Sequence, residues 1–236
     1  MADFDPTNFT LLVVEDHAFS RKALINMLVK NGYENLLSAS NGEKALDKLN
    51  HNQIDLIITD INMPNINGLE LIKMVREGKT SVAKDTSIIA VTTLSDTPTI
   101  SACMTLEVDS FLVKPITVSS AQQQIKNAVS EPKCLYQQHL YHSVSTAVTF
   151  EQVNSKPDST SPRISEVSSH IVKIEKLSEL KEGMVLLEDI HVISGGSLVK
   201  AGTTLNAKLL RRLFELGNVI KINPICARVD QAQMVT

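Results

Sequence analysis

At 236 residues the chain has room for one large domain or two small ones, and its 43% hydrophobic and 21% charged residues are those of an ordinary folded protein. A net charge of −3 provides no global basic field for nucleic acid. Three scattered cysteines, Cys103, Cys134 and Cys226, argue against a disulfide framework or a zinc site. The opening "MADFDPTNFT" lacks the basic and apolar regions of a signal peptide, and no apolar run approaches the ~18 residues of a membrane span. A soluble, cytoplasmic protein with no membrane partner is therefore expected.

In chain order, "FTLLVVED" reads as a strand and "HAFSRKALINMLVKNGY" as a helix stopped by Gly32. "NLLSAS" is a second strand and "NGEKALDKLNHN" a second helix. "IDLIITDINMP" is a buried strand ending in an acid, followed by the helix "GLELIKMVREG". "SIIAVTTL" and "SFLVKP" supply the fourth and fifth strands, and "PTISACMTLEV" and "TVSSAQQQIKNAVSE" the fourth and fifth helices. Continuous apolar strands separated by helices predict an α/β fold, a five-stranded doubly wound parallel sheet spanning residues 9–130. Such sheets carry their sites at the carboxyl ends of the strands.

Residues 131–172, with the Ser-, Thr- and Pro-rich "STAVTFEQVNSKPDSTSPRISEVSS", read as a largely flexible linker. "CLYQQHLYH" within it is more apolar and is expected to form a short helix that extends or packs on the first domain. Residues 173–228 predict a small β-rich α+β module. "SGGS" at 194–197 is a hairpin turn, "NAKLLRRLFELG" a helix capped by Asn206, and "NVIKINPI" a closing strand.

The strand ends of the first domain share a chemistry. Glu15 and Asp16 end the first strand, Asp60 the third, Thr92 and Thr93 the fourth, and Lys114, before Pro115, the fifth. Three carboxylates at one sheet edge repel, and a hard divalent cation such as Mg2+ resolves the conflict while keeping positions open for phosphate oxygens. Lysine adds a point charge for a phosphoryl oxygen, threonine a hydroxyl, and Asp60 a nucleophile that would form an aspartyl phosphate.

The motifs "VVEDH", "ITDINMPNINGLEL", "IIAVTT" and "SFLVKP" together resemble the receiver domain of two-component response regulators, over residues 9–130. The resemblance implies a flavodoxin-like receiver whose Asp60 takes phosphate from a histidine kinase or phosphotransferase. It implies Mg2+ held by Glu15, Asp16, Asp60 and the backbone carbonyl of Asn62, with Lys114 on the phosphoryl group and a cis Lys114–Pro115 bond. Thr92 and Phe111 would be the switch pair. It also implies a possible homodimer through the fourth helix, fifth strand and fifth helix. The chain departs from the family pattern at Glu107–Val108, where a glycine–alanine pair is usual, and at Phe111, where the family more often has tyrosine.

The stretches "LKEGMVLLEDI" and "LVKAGTTLNAKLLRRL" resemble a small module that accompanies HD-type cyclic-dinucleotide phosphodiesterases, here without the paired His-Asp motif of the enzyme. Residues 171–236 hold nine Lys or Arg against seven Asp or Glu, too balanced for a strong phosphate footprint, so DNA is a weak candidate partner. Arg211 and Arg212 read as a solvated helix face, His139 and His142 as surface residues, and Cys103 as core. Four outputs stay open: gated binding of a protein partner through the module, a DNA-binding transcriptional regulator, regulation of a separate cyclic-dinucleotide enzyme, and a phosphate sink. No turnover of an external substrate is expected beyond the receiver's own phosphorylation and dephosphorylation.

Overall fold

Four consecutive apolar residues, Leu11 to Val14, are each at most 1% exposed, because the strand they form is covered on both faces. In the computed structural model, which describes residues 6–93, 97–130, 133–147, 170–193, 197–217, 220–221 and 224–229, that strand is β1 (Thr10–Val14). It lies in a parallel sheet with β2 (Asn35–Ala39), β3 (Leu56–Asp60), β4 (Ser87–Thr92) and β5 (Ser110–Val113), in the order β2-β1-β3-β4-β5. Between them run α1 (Ala18–Lys30), α2 (Gly42–His51), α3 (Gly68–Arg76) and α4 (Thr97–Thr105), and α5 (Val118–Ser130) follows β5.

Alternate strand residues point to opposite faces. Leu11, Val13, Ile58, Ile89 and Leu112 pack with Leu24 and Leu28 of α1 and Ala121 and Ile125 of α5. Leu12, Val14, Ile57, Ala90 and Phe111 pack with helices α2, α3 and α4 on the other face. Asparagine caps open two of these helices: Asn41 accepts from Lys44 N at 2.9 Å and Asn67 from Glu70 N at 2.9 Å. The doubly wound parallel sheet expected from the sequence is present. No helix among the described residues is long and apolar enough to cross a membrane.

The segment expected to be a linker from residue 131 is not featureless. Residues 133–147 form a strap against the first domain, with a 3-10 helix at Gln138–Ser143 and Tyr141 only 2% exposed. His139 and His142 of this strap are exposed, and Cys103 of α4 is core. The expected linker sequence from 148 to 169, and the Gly195–Gly196 turn, lie outside the described residues.

The C-terminal part comprises β6 (His170–Ile174), β7 (Val185–Leu186), β8 (Ile190–Val192), β9 (Ser197–Val199), α6 (Ala207–Glu215), β10 (Ile220–Lys221) and β11 (Ile225–Val229). Its strands form two three-stranded antiparallel sheets, β10-β8-β9 and β6-β11-β7. The first strand begins at His170, slightly earlier than expected, and the expected closing strand is divided between β10 and β11. Asn206 caps α6 as expected, accepting from Leu209 N at 2.8 Å.

The basic residues of α6 require a correction. Arg211 and Arg212, read as a solvated face, instead turn inward: Arg212 is 2% exposed and Arg211 is half-buried, and Lys208 beside them is 8% exposed. Acidic and carbonyl partners on the first domain explain this. Lys208 pairs with Asp109, and Arg211 Nη2 donates to Asp109 O at 2.5 Å. β9 lies against α4 and α6 reaches β5, so the module covers part of the α4–β5 face.

Candidate functional site

The carboxyl ends of β1, β3 and β5 meet at one edge of the parallel sheet, and each delivers a charged side chain there. Glu15 and Asp60 are almost buried, at 5% and 6% exposed, while Asp16 is exposed. Lys114 reaches in from the end of β5, with Nζ 2.8 Å from Asp60 Oδ2 and 3.0 Å from Glu15 Oε2. One ammonium thus bridges two carboxylates that would otherwise repel. Backbone donors complete the shell: His17 N donates to Glu15 Oε1 at 3.2 Å and Asn62 N to Asp60 Oδ1 at 3.4 Å.

The pKa directions follow from this geometry. Burial pushes the Glu15 carboxyl above the usual range and the charge of Asp60 adds to that, while the hydrogen bond and charge of Lys114 offset only part of it. Burial would depress the Lys114 ammonium, but hydrogen bonds and charges from Asp60 and Glu15 outweigh it and hold the ammonium above its ordinary value.

One carboxylate oxygen from each of Glu15, Asp16 and Asp60 lies within 4.8 Å of the others. An all-oxygen set of this charge suits a hard divalent cation, for which Glu15, Asp16 and Asp60 would be the protein ligands. Asn62 stands beside them, two residues beyond Asp60. Thr92 ends β4 and is 7% exposed, and its carbonyl accepts from Lys114 N at 2.9 Å. Phe111 lies in β5 opposite Ala90 and is buried in the core, away from solvent. The Lys114–Pro115 bond is cis, as the resemblance implied. Of the residues expected from the sequence, Glu15, Asp16, Asp60 and Lys114 meet at this edge with Asn62 and Thr92 beside them, whereas Phe111 lies in the core.

Several residues that shape the site were not singled out by sequence. Arg21 of α1 donates to Glu15 O at 2.6 Å and to Asp16 O at 3.3 Å, holding the acidic turn from its backbone side. Gly68 opens α3 so close to the β3 end that an added Cβ would sit 2.1 Å from Asp60 O. Its own N–H donates to Ile61 O at 3.0 Å. A glycine at the start of a helix was the signal for it. His17, by contrast, stood out in the sequence beside the acidic pair, as a flank of the site or a surface residue; it is exposed and caps α1, its Nδ1 accepting from Ser20 N at 3.4 Å.

A family model described as the response regulator receiver domain matches residues 11–126. The chain is 35% identical over 120 residues to a chemotaxis protein CheY homolog of Campylobacter jejuni, covering 50% of this chain and 91% of that one. It is 36% identical over 117 residues to the chemotaxis protein CheY1 of Helicobacter pylori, covering 49% and 93%. A solved response regulator receiver protein from Pseudomonas putida is 33% identical with a TM-score of 0.45, covering 50% of this chain and 95% of that one. Phosphorylation and Mg2+ binding are characteristic of receiver domains, which exchange phosphate with histidine kinases or phosphotransferases in two-component signalling. The chain belongs to the response regulator receiver family.

Proposed function

We propose that the chain is a phosphorylation-dependent switch in which Asp60 accepts the phosphoryl group and the C-terminal module carries the output. The observation behind this reading is the shared ammonium: Lys114 Nζ contacts both Asp60 and Glu15 at the strand edge. An Asp60 oxygen attacks the phosphorus of a donor phosphohistidine; the new O–P bond forms as the P–N bond breaks, and the imidazole leaves and is protonated by solvent. Hydrolysis by water later breaks the O–P bond, returning the Asp60 carboxylate and inorganic phosphate. Bound Mg2+, on Glu15, Asp16, Asp60 and the Asn62 carbonyl, would neutralise charge on the transferring group. Lys114 would move from its two carboxylates onto a phosphoryl oxygen, and the Thr92 hydroxyl would donate to another. Phe111, on the same strand as Lys114, would follow as the second member of the switch pair.

The output reading is protein binding through the module. Two observations support it over DNA binding. Lys208 and Arg212 are turned into the first domain, so the most basic helix of the module is spent on internal contacts. The face expected for a homodimer, α4 with β5 and α5, is partly covered, at α4 and β5, by β9 and α6 of the same chain. A dimer on that face would have to displace them.

Incubation with Mg2+ and acetyl phosphate, followed by peptide mapping, tests the acceptor. Label on the peptide containing Asp60, lost in Asp60→Asn, supports the reading; acid-labile phosphate that survives Asp60→Asn overturns it.

A further inference from the structure

The amino end of the parallel sheet, opposite Asp60, holds a cavity of about 350 Å3 that shares no residue with the acidic edge. It lies between the segment entering β3 and the segment entering β4, and Lys133 of the strap also lines it. Three charged side chains stand on its wall: Asp55, Asp85 and Lys133. Ile54, buried, and Val82, half-buried, supply an apolar part of the wall, and Gln53 adds an amide.

Each of the three charges is anchored separately. Asp55 is tied twice to the start of β1: its N–H donates to Thr10 O at 3.0 Å and its Oδ2 accepts from Thr10 N at 2.9 Å. Asp85 stands between Lys84 and Thr86, whose carbonyls both accept from the buried Arg76, at 2.6 and 2.8 Å. Lys133 reaches inward from an exposed stem, and its ammonium donates to the Oγ of Ser87, the fully buried first residue of β4. Burial pulls that ammonium below the ordinary lysine value and the charge of Arg76 adds to the pull, while the charges of Asp109, Asp85 and Asp55 restore only part of the loss. Among the described residues the Asp85 carboxylate has no hydrogen-bond or ion-pair partner, and the Lys133 ammonium has Ser87 alone. Opposite charges lining one cavity attract, but these anchors keep them unpaired, so donors and acceptors are left for a ligand.

We infer that this cavity is a binding site for a basic α-amino acid. The match is charge for charge. The wall carries one positive and two negative groups, and a basic amino acid carries one negative and two positive groups. Its carboxylate takes the remaining donors of Lys133, its α-ammonium and side-chain cation take the two aspartates, and its methylenes lie against Ile54 and Val82. The volume is that of a small-molecule site, and charges fixed in advance need little ordering when the ligand enters. An anion alone would meet two carboxylates, and a cation alone would meet the Lys133 ammonium, so each fits worse than a ligand carrying both signs. The cavity lies at the opposite end of the sheet from Asp60, so the inference is independent of the phosphoacceptor reading.

Titration of the full-length, 15N-labelled chain, followed through its backbone amides, tests this with three probes that share one stem. L-lysine carries all three charges, L-norleucine lacks the side-chain cation, and cadaverine lacks the carboxylate. L-lysine should shift the amides of Gln53, Asp55, Asp85 and Lys133 saturably, with a Kd below about 1 mM. Norleucine and cadaverine should each bind at least about tenfold more weakly, because each leaves a charge of the wall unmatched. Lys133→Ala should weaken L-lysine by a similar factor without weakening cadaverine, whereas Asp85→Asn should weaken both. Lys133→Gln, which keeps a donor, takes the place of Lys133→Ala if the amides of the receiver sheet show that the alanine variant is disturbed. No saturable shift at about 10 mM L-lysine overturns the site. Norleucine or cadaverine binding as tightly as L-lysine overturns the ligand class. A shift by L-lysine that survives both the Lys133 and the Asp85 variants puts the ligand elsewhere and overturns the site as well.

Discussion

Arg76 and Asp109 form an ion pair 3.0 Å long whose side chains are 0% and 2% exposed, between the end of α3 and the start of β5. A buried pair of this kind adds little over an apolar replacement but is costly to break by half, because the survivor is left charged and desolvated. Arg76→Ala would strip four backbone carbonyls and Asp109 of their donor as well as break the α4–β5 turn. A loss of about 3–5 kcal/mol is expected, read from the urea midpoint of the full chain. A loss below about 1 kcal/mol would mean that water replaces the guanidinium, contrary to the burial.

Acid should act through the same carboxylate. Asp109 is almost fully buried, which alone would raise it, but the charges of Arg76, Lys208 and Arg212 prevail and hold it below the ordinary aspartate value. With the folded value below the unfolded one, its contribution is complete above about pH 4 and is lost as pH falls through the folded value. The stability gap between wild type and Asp109→Asn should therefore be constant from pH 7 to 5 and shrink below about pH 4, measured by thermal unfolding across that range. A gap that widens on acidification would reverse the assignment.

Lys208 has the opposite dependence. Burial pulls its ammonium down to about 8, and the charge of Asp109 restores only part of the loss. Between about pH 8 and the ordinary lysine value, the unfolded chain binds more protons than the folded one at this group, so its contribution rises with pH. The thermal midpoint of wild type should gain on that of Lys208→Met from pH 8 to 10. A constant difference would place Lys208 in water.

The parallel sheet and the acidic edge were legible because each rests on a local pattern. Continuous apolar strands mark burial on both faces, and Glu15, Asp16, Asp60 and Lys114 stand at strand ends where the topology must bring them together. The contacts of Glu107 and of α6 were not legible, because they depend on distant segments meeting. Glu107 read as a departure from a glycine position, and nothing local shows that it accepts from Tyr136, Gln137 and Tyr141 some 30 residues away. Arg211 and Arg212 read as a solvated face because helical spacing tells which residues share a side, not what that side meets. Within residues 133–147 "CLYQQHLYH" stood out as a short helix packing on the first domain, and a 3-10 helix with a buried Tyr141 lies there; the rest is held by backbone carbonyls offered to Lys73 and Asn67, which leave no periodic signal.

Magnesium should stabilise the chain through the acidic edge. A ligand bound only by the folded state adds RT ln(1 + [L]/Kd), or about 2.7 kcal/mol at one hundred times Kd. Thermal midpoints should rise with MgCl2 in wild type and respond far less in Asp60→Asn or Glu15→Gln. Since Glu15 is raised by burial, protons should compete, and the magnesium shift should weaken as pH falls through its range. An equal shift in all three proteins would mean that the ion acts elsewhere on the surface.

Gly68 tests how tightly the acceptor loop is built. A methyl group there would lie 2.1 Å from Asp60 O and 2.7 Å from Ile61 Cα, both backbone atoms that cannot rotate away. Gly68→Ala must therefore push α3 off the end of β3 or displace Asp60 from Lys114. Overpacking of this kind costs about 1–3 kcal/mol. The displacement should also slow phosphorylation of Asp60 by acetyl phosphate more than tenfold, because transfer needs the attacking oxygen and Lys114 in register. Gly202 is the control: it too is a glycine, at φ +84°, but its Cβ position is open space, so Gly202→Ala should cost only the strain of its backbone and leave the labelling rate unchanged. If Gly68→Ala labels at the wild-type rate, the close approach of α3 to Asp60 is not what fixes the acceptor.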